Sequence, residues 1–182
     1  MIKDIKNDNL YFARVRENAI IPSKEDENGG YDIYSCFEED FIAILPHKTV
    51  MIPTGIASAC SDDYTIILKE RGSTGSKGIG QRCGVVDSGY RGEWFVPLTN
   101  TTDDIICISK LNEEDTDLKI CNFGKYKRTP IEGKVIVYPY KKAICQALVV
   151  PVPKMKVNEI SYEQLKEFKS NRGDGKLGSS KK

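Results

Sequence analysis

The chain has 182 residues, 40% of them hydrophobic and 9% aromatic, with 27 basic side chains against 26 acidic ones. That length supports one domain with a sizeable core, and a net charge of +1 gives no basis for a nucleic-acid or membrane partner. No apolar run approaches the ~18 residues of a membrane span, and Met1-Ile2-Lys3-Asp4 opens no signal peptide, so a soluble cytoplasmic protein is expected.

Short alternating or β-branched runs dominate the chain. In order they are Leu10 to Arg16, Phe41 to Leu45, Lys48 to Ile52, Tyr64 to Lys69, Trp94 to Leu98, Ile105 to Ser109, Lys134 to Tyr138 and Ile144 to Val150. Gly, Pro, Asn and Asp clusters punctuate them, which predicts an all-β sandwich, jelly roll or barrel. The single histidine, His47, falls in a Leu-Pro-His-Lys turn between two of these runs. Zinc held by several histidines is thereby excluded, and catalysis should rest on carboxylates, Arg, Lys and backbone groups. Six cysteines (Cys36, Cys60, Cys83, Cys107, Cys121 and Cys145) form no C-x-x-C pair and are expected to stay reduced.

Between Thr101 and Gly133 an acidic half (Asp103, Asp104, Glu113, Glu114, Asp115, Asp117) precedes a basic half (Lys125, Lys127, Arg128), which reads as a solvated hairpin excursion. One helix is predicted near the C-terminus, where Ser161 and Gln164 form a capping box and Ile160 and Leu165 a hydrophobic staple. The remaining tail has almost nothing to bury and is expected to be mobile. The organisation expected is a β core over 1–160 with an excursion at about 101–133. A short helix and a Gly-rich flap follow over 161–182.

Five segments could carry chemistry. Gly29-Gly30-Tyr31-Asp32 places a carboxylate after a Gly pair, where a turn Asp satisfying backbone amides is the plainer reading. Glu70-Arg71-Gly72-Ser73-Thr74-Gly75-Ser76-Lys77-Gly78 sets Arg71 and several hydroxyls on a Gly-rich turn, whose amides should point at an anion. Gly84-Val85-Val86-Asp87-Ser88-Gly89-Tyr90-Arg91-Gly92 reads as a hairpin with one carboxylate and one stacking ring at its tip. Ala143-Ile144-Cys145-Gln146 interrupts an apolar strand with an amide that needs a partner. Arg172-Gly173-Asp174-Gly175-Lys176-Leu177-Gly178-Ser179-Ser180 superficially suggests a phosphate loop, but Ser179 stands where the lysine is required; a disordered solubilising tail is the plain reading, and a Gly-rich, Arg-bearing flap that orders over a polyphosphate the sharper one. Two anion sites, a single carboxylate and a stacking tyrosine together suit hydrolysis of a nucleoside triphosphate.

In this order and spacing the five segments resemble the five motifs of the homotrimeric dUTP diphosphatases (dUTPases), and Val50 to Ala57 is similar to a strand-turn segment of that family. Several phage and Firmicutes members have similar Arg-Gly-Ser-Thr-Gly and Asp-Ser-Gly-Tyr-Arg-Gly forms. The resemblance implies a distorted jelly roll assembled as a homotrimer, with each site built from several chains. It implies that Asp87 is the general base for water attack on the α-phosphorus of dUTP, giving dUMP and pyrophosphate. Tyr90 would stack beneath the deoxyribose and exclude a 2′-hydroxyl, while backbone groups around Gly84 and Val86 would read the uracil edge. Arg71, Ser73 and Gln146 would hold phosphate oxygens, with Thr74 and Gly75 in the same turn. Magnesium would ride on the triphosphate and reach Asp32 through water. Arg172, Leu177, Gly178 and Ser179 would close over the substrate with the tail.

The pattern departs from the family at Gly72, where most members have Ser, and at Ala143, where Arg is usual. Leu177 also replaces the tail's aromatic residue, and the stretch between Tyr90 and Gln146 is longer than in compact members. Two other functions stay open on sequence alone. One is a dCTP deaminase of the same fold, which would need a glutamate in the base pocket. The other is an additional regulatory role, with a protein partner docking on 101–133.

Overall fold

Period-two alternation gives each strand an inward row and an outward row. In Tyr64–Lys69, Ile66 and Leu68 point inward and are buried, and in Phe95–Asn100 the inward pair is Val96 and Leu98. With Ile33, Ile44, Ile52, Ile56, Trp94, Ile106, Ile108 and Ile144 they make one core. A computed structural model describes residues 5, 8–82, 84–116 and 134–174, and the chain divides into two units, Met1–Val152 and Pro153–Lys182.

Among the described residues the first unit holds twelve short strands: β1 (Tyr11–Arg14), β2 (Tyr31–Ile33), β3 (Phe41–Ile44), β4 (Thr49–Pro53), β5 (Ile56–Ala59), β6 (Tyr64–Lys69), β7 (Ile79–Gln81), β8 (Val85–Val86), β9 (Phe95–Asn100), β10 (Ile105–Ser109), β11 (Val135–Pro139) and β12 (Cys145–Pro151). They form four small sheets ordered β1-β5, β11-β10-β3, β2-β12-β6-β8 and β4-β9-β7, wrapped around the core as a distorted jelly roll. The eight predicted runs all appear, with ends shifted by a few residues. The four additional strands β2, β5, β7 and β8 are two to four residues long, and tertiary pairing more than local pattern makes them strands. His47 occupies the expected turn with φ at 57°, a conformation non-glycine residues adopt only occasionally.

Two expectations are corrected. Val85-Val86 does not form a hairpin with the chain after Ser88-Gly89. Instead β8 pairs with β6, Val86 facing Ile66, while the following strand β9 joins β4 and β7. Residues 87–94 therefore cross from one sheet to another. The described part of 101–133 also departs from a solvated hairpin excursion. Its Ile105–Ser109 stretch is a central strand buried along its whole length, and β10 pairs in parallel with β11. After β10 a helical turn at 113–116 is capped by Asn112, whose Oδ1 accepts from the Asp115 amide at 2.8 Å. The basic half of the stretch lies outside the described residues.

In the second unit, helix Tyr162–Glu167 carries the predicted capping box: Ser161 Oγ accepts from the Gln164 amide, and Gln164 Oε1 accepts from the Ser161 amide. Across it Ile160, Leu165 and Phe168 are all exposed. No helix among the described residues is long and apolar enough to cross a membrane.

Candidate active site

Three neighbouring strands bring three of the predicted residues to one sheet end. Asp32 on β2 faces Gln146 on β12, and Gln146 faces Lys69, the last residue of β6. After Lys69 the chain turns through Glu70 and Arg71 into a helical turn, Gly72–Gly75. Arg71 reaches back across the row, with Nε 3.0 Å from Asp32 Oδ1 and Nη2 3.3 Å from Oδ2. Such a two-pronged pair fixes the guanidinium plane as well as its position. Gln146 donates through Nε2 to the Glu70 carbonyl at 2.9 Å, which settles the partner its partly buried amide needs. Gly30 eases this approach: a Cβ there would lie 3.0 Å from Gln146 Oε1 and 3.1 Å from Gln146 Cβ, so the Gln146 side chain would have to shift. Gly29, Gly30, Asp32, Arg71, Ser73 and Gln146 line a cleft of about 340 Å³.

Most of the amides expected to be free on the Gly-rich turn are engaged within it, Gly72 and Ser73 excepted. The Thr74 and Gly75 amides donate to the Arg71 carbonyl and the Ser76 amide to Gly72, because the segment coils into a helical turn. Thr74 is buried, and its hydroxyl accepts from the Arg71 amide and donates to the Arg71 carbonyl. It shapes the turn and does not face the cleft. An anion here would meet the Arg71 guanidinium and the exposed Ser73. Gly72 is not demanded sterically, since a Cβ would meet nothing within 4 Å.

Sequence reasoning missed Tyr138. Its hydroxyl donates to the Ala143 carbonyl at 2.7 Å, next to Ser73 and Arg71, and Arg71 Nη1 donates to the same carbonyl at 3.4 Å. Burial raises the Tyr138 phenol above its ordinary value, with the Arg71 charge opposing. Residue 143 thus holds Arg71 through its backbone, while its side chain is buried.

Asp87 and Tyr90 lie elsewhere. With Met51, Val86, Glu93 and Phe95 they line a second cleft of about 280 Å³. Asp87 is exposed, and among the described residues no hydrogen bond or ion pair engages its carboxylate. The Tyr90 amide closes a turn on the Asp87 carbonyl at 3.0 Å. The Tyr90 ring folds back over Gly92, where any Cβ would collide with it, and its hydroxyl donates to the Glu93 carbonyl at 3.1 Å. Arg91 ties the loop from beneath by donating to the Ser88 and Tyr90 carbonyls at 2.6 and 3.1 Å.

The backbone groups expected to read a base are partly engaged. The Gly84 carbonyl accepts from the Leu68 amide at 2.6 Å, and the Val86 carbonyl accepts from Thr65 Oγ1. Alternation along an antiparallel edge leaves the Val85 amide and carbonyl pointing away from β6. Val85, not Gly84 or Val86, carries the open edge. Period two could have revealed this had the pairing partner been known.

The two clefts share no lining residue. Val86 pairs with Ile66, so Asp87 falls level with Thr65, while Arg71 lies beyond Lys69 at the far end of the same strand. At ~3.3 Å per residue, the four steps from Thr65 to Lys69 alone separate them by roughly 13 Å. Arg172 belongs to the second unit, where Ser170 Oγ accepts from the 172 and 173 amides. Leu177, Gly178 and Ser179 lie outside the described residues.

Among the described residues no group of three or more His, Cys, Asp or Glu gathers to cage a metal ion. The donor set fits magnesium in another way. Mg²⁺ keeps several waters and commonly takes one or two carboxylates plus phosphate oxygens, and Asp32 offers one carboxylate at the rim of the Arg71 cleft.

The model of the dUTPase family matches residues 16–112, just over half of the chain. A deoxyuridine 5′-triphosphate nucleotidohydrolase of Leptospira interrogans is 28% identical over 103 residues, 54% of this chain and 70% of that protein. The protein of the same description from Neisseria meningitidis is 25% identical over 157 residues, 84% of this chain and 81% of its own. Among solved structures, a dUTPase of Staphylococcus bacteriophage 80alpha with dUpNHpp superposes with a TM-score of 0.69 at 21% identity, covering 95% of this chain and 98% of that one. A point mutant of the dUTPase from phage phi11 of S. aureus, described with a structural Mg(II) ion, gives 0.61 at 18% identity over 85% and 99%.

Proposed function

This chain belongs to the dUTPase family, and from that premise we propose that it is a homotrimeric dUTP diphosphatase whose sites are each built from more than one copy. It is a hydrolase acting on dUTP, and the reaction proposed gives dUMP and pyrophosphate. The observation that carries the reading is the separation of the Asp87 cleft from the Arg71 cleft. A base and a phosphate clamp on opposite ends of one strand cannot serve the same phosphate chain within one subunit. In a ring of copies, the Asp87 end of one subunit can face the Arg71 end of the next.

Asp87 takes a proton from the water that attacks the α-phosphorus, and pyrophosphate leaves. Its exposed carboxylate is available for this work, and a positioned base contributes about 10²- to 10⁴-fold. Arg71, Ser73 and Gln146 hold phosphate oxygens; as the phosphates arrive, Arg71 shares its guanidinium between them and Asp32. Tyr90 stacks beneath the sugar, and the outward edge at Val85 pairs with uracil. The amino group of cytosine mismatches such an edge, a polar conflict that discriminates more strongly than a missing contact would, and thymine is refused because its methyl group finds no space. Asp32 would hold magnesium through water, and the bound ion would neutralise phosphate charge. Arg172 and the tail would close over the γ-phosphate. The turnover would limit uracil in DNA and supply dUMP for thymidylate synthesis.

A deaminase needs a free base-pocket glutamate. Glu93 lines the cleft, but its carboxylate is held by Arg16 and by the Gly55 amide. A regulatory protein partner, if it docks on 101–133, must use residues other than the buried β10.

The deciding experiment is a pyrophosphate-release assay across dUTP, dCTP, dTTP and UTP, with and without magnesium. Release from dUTP alone, dependent on the metal, is the outcome expected. Ammonia from dCTP would replace the reading with the deaminase.

A further inference from the structure

Glu93 is the most heavily engaged acidic side chain near the Asp87 cleft. Its Oε1 accepts from Arg16 Nε at 2.8 Å and from the Gly55 amide at 2.9 Å, and its Oε2 accepts from Arg16 Nη2 at 3.1 Å. The pair joins residues 77 positions apart, and the Glu93 side chain keeps only 13% of its exposure. Gly55 is the hub. With φ at +67° and a would-be Cβ 2.8 Å from that of Ala19, only glycine fits, and its carbonyl accepts from the Val15 and Arg16 amides. The neighbouring Trp94 is pinned in turn, its amide on the Ile56 carbonyl and its own carbonyl on the Thr54 amide and hydroxyl. Residues 93 and 94 are therefore fixed to the β4–β5 turn by both side chain and backbone.

That fixed backbone is what Tyr90 leans on. Its hydroxyl donates to the Glu93 carbonyl, and its ring lies over Gly92. We propose that Arg16 and Glu93 are positioning residues for sugar selectivity: their ion pair holds the Glu93 carbonyl, which sets the pose of the Tyr90 ring and so the gap left for the 2′ position. The inference rests on the reading of Tyr90 as the ring beneath the sugar. Neither Arg16 nor Glu93 needs to touch substrate. If the carbonyl shifts, the ring tilts, and room opens for a hydroxyl that the native pose excludes. Misplacements of about 1 Å suffice for rate effects of order 10²-fold, so a smaller tilt should be readable.

The test compares kcat and KM for dUTP and UTP in the full-length protein and in Glu93→Gln, Arg16→Met, Arg16→Lys and Tyr90→Phe. Glu93→Gln and Arg16→Met should raise kcat/KM for UTP relative to dUTP by roughly tenfold, mostly through KM, a change worth about 1.4 kcal/mol. Arg16→Lys, which keeps the charge, should recover part of the selectivity, and the pH dependence of dUTP turnover should stay as in the wild type. Tyr90→Phe keeps the ring and loses only the hydroxyl contact, so it should relax selectivity in the same direction. An unchanged dUTP/UTP ratio in folded Glu93→Gln and Arg16→Met overturns the proposal. Should both fail to fold, an unchanged ratio in Tyr90→Phe overturns it. Asp87→Asn separates the two failures: if that variant still turns over dUTP, the reading of the cleft is at fault. If it is dead while selectivity never moves, the ion-pair inference alone is wrong.

Discussion

The Arg71 cleft and the Asp87 cleft are built on opposite principles. At the Arg71 end, polar groups are already paired with one another: guanidinium with Asp32, Gln146 with the Glu70 carbonyl, Tyr138 with Ala143. At the Asp87 end, side chains such as Met51, Val85 and Phe95 are exposed around one unengaged carboxylate. A clamp for phosphate gains from arms that are held in place before the ligand arrives, since fewer rotamers are then lost on binding. A base must keep its lone pairs for water. Fixing Asp87 falls instead to the backbone around it, through β8, Arg91 and the Glu93 anchor.

Replacing Asp87 by Asn strikes this contrast hardest. The amide keeps the shape and removes the proton acceptor, so pyrophosphate release should fall at least ~10²-fold while the oligomer and nucleotide binding persist. Retained turnover would move the base elsewhere. Arg71→Ala should be nearly as damaging, but for loss of phosphate binding. Mixing the two inactive variants then tests the division between copies. If every site takes Asp87 from one subunit and Arg71 from another, unfolding and refolding them together at equal amounts should restore about a quarter of the sites. Sites complete within one chain would regain nothing.

Much of this contrast was legible beforehand, and the omissions have physical causes. Strands such as Tyr64–Lys69 and Ile105–Ser109 were visible because burial imposes a pattern on their own residues. Asp32, Arg71, Asp87 and Gln146 stood out because their chemistry interrupts such patterns. What stayed hidden was pairing. Nothing local says that Val85-Val86 joins β6 rather than its own continuation, or that β10 and β11 run in parallel. Arg16 and Glu93 were missed for the same reason, being 77 residues apart, and Tyr138 because what ties it to the site is a carbonyl shared with the distant Arg71.

A milder perturbation asks how far the Arg71 end depends on its internal pairing. Tyr138→Phe removes one buried hydroxyl, which leaves the Ala143 carbonyl with only the longer Arg71 contact. Stability should drop by about 1 kcal/mol, visible as a Tm lowered by a few degrees. KM for dUTP should rise a few-fold with kcat little changed. A lowered Tm with unaltered KM would mean that Asp32 alone fixes Arg71.

The smallest effect expected concerns two buried thiols, Cys145 and Cys60. Cys145, next to Gln146, is pushed well up by burial first, then by the charges of Asp32 and Glu70, with Arg71 opposing. Cys60 is raised by burial while Arg91 lowers it. A thiol whose folded pKa exceeds its unfolded value of about 8.5 favours the folded state fully below that pH. Above it the unfolded chain releases protons that the folded chain keeps, so stability declines as pH rises. Tm followed from pH 7 to 10 should be flat at first and then fall. Replacing Cys145 by Ala should flatten the alkaline fall more than replacing Cys60 does, because two carboxylates reinforce burial at the first position and a guanidinium opposes it at the second. A steeper dependence on Cys60 would mean that the Arg91 guanidinium offsets burial there less than Arg71 does at Cys145, and the charges of Asp32 and Glu70 would then not govern the alkaline fall.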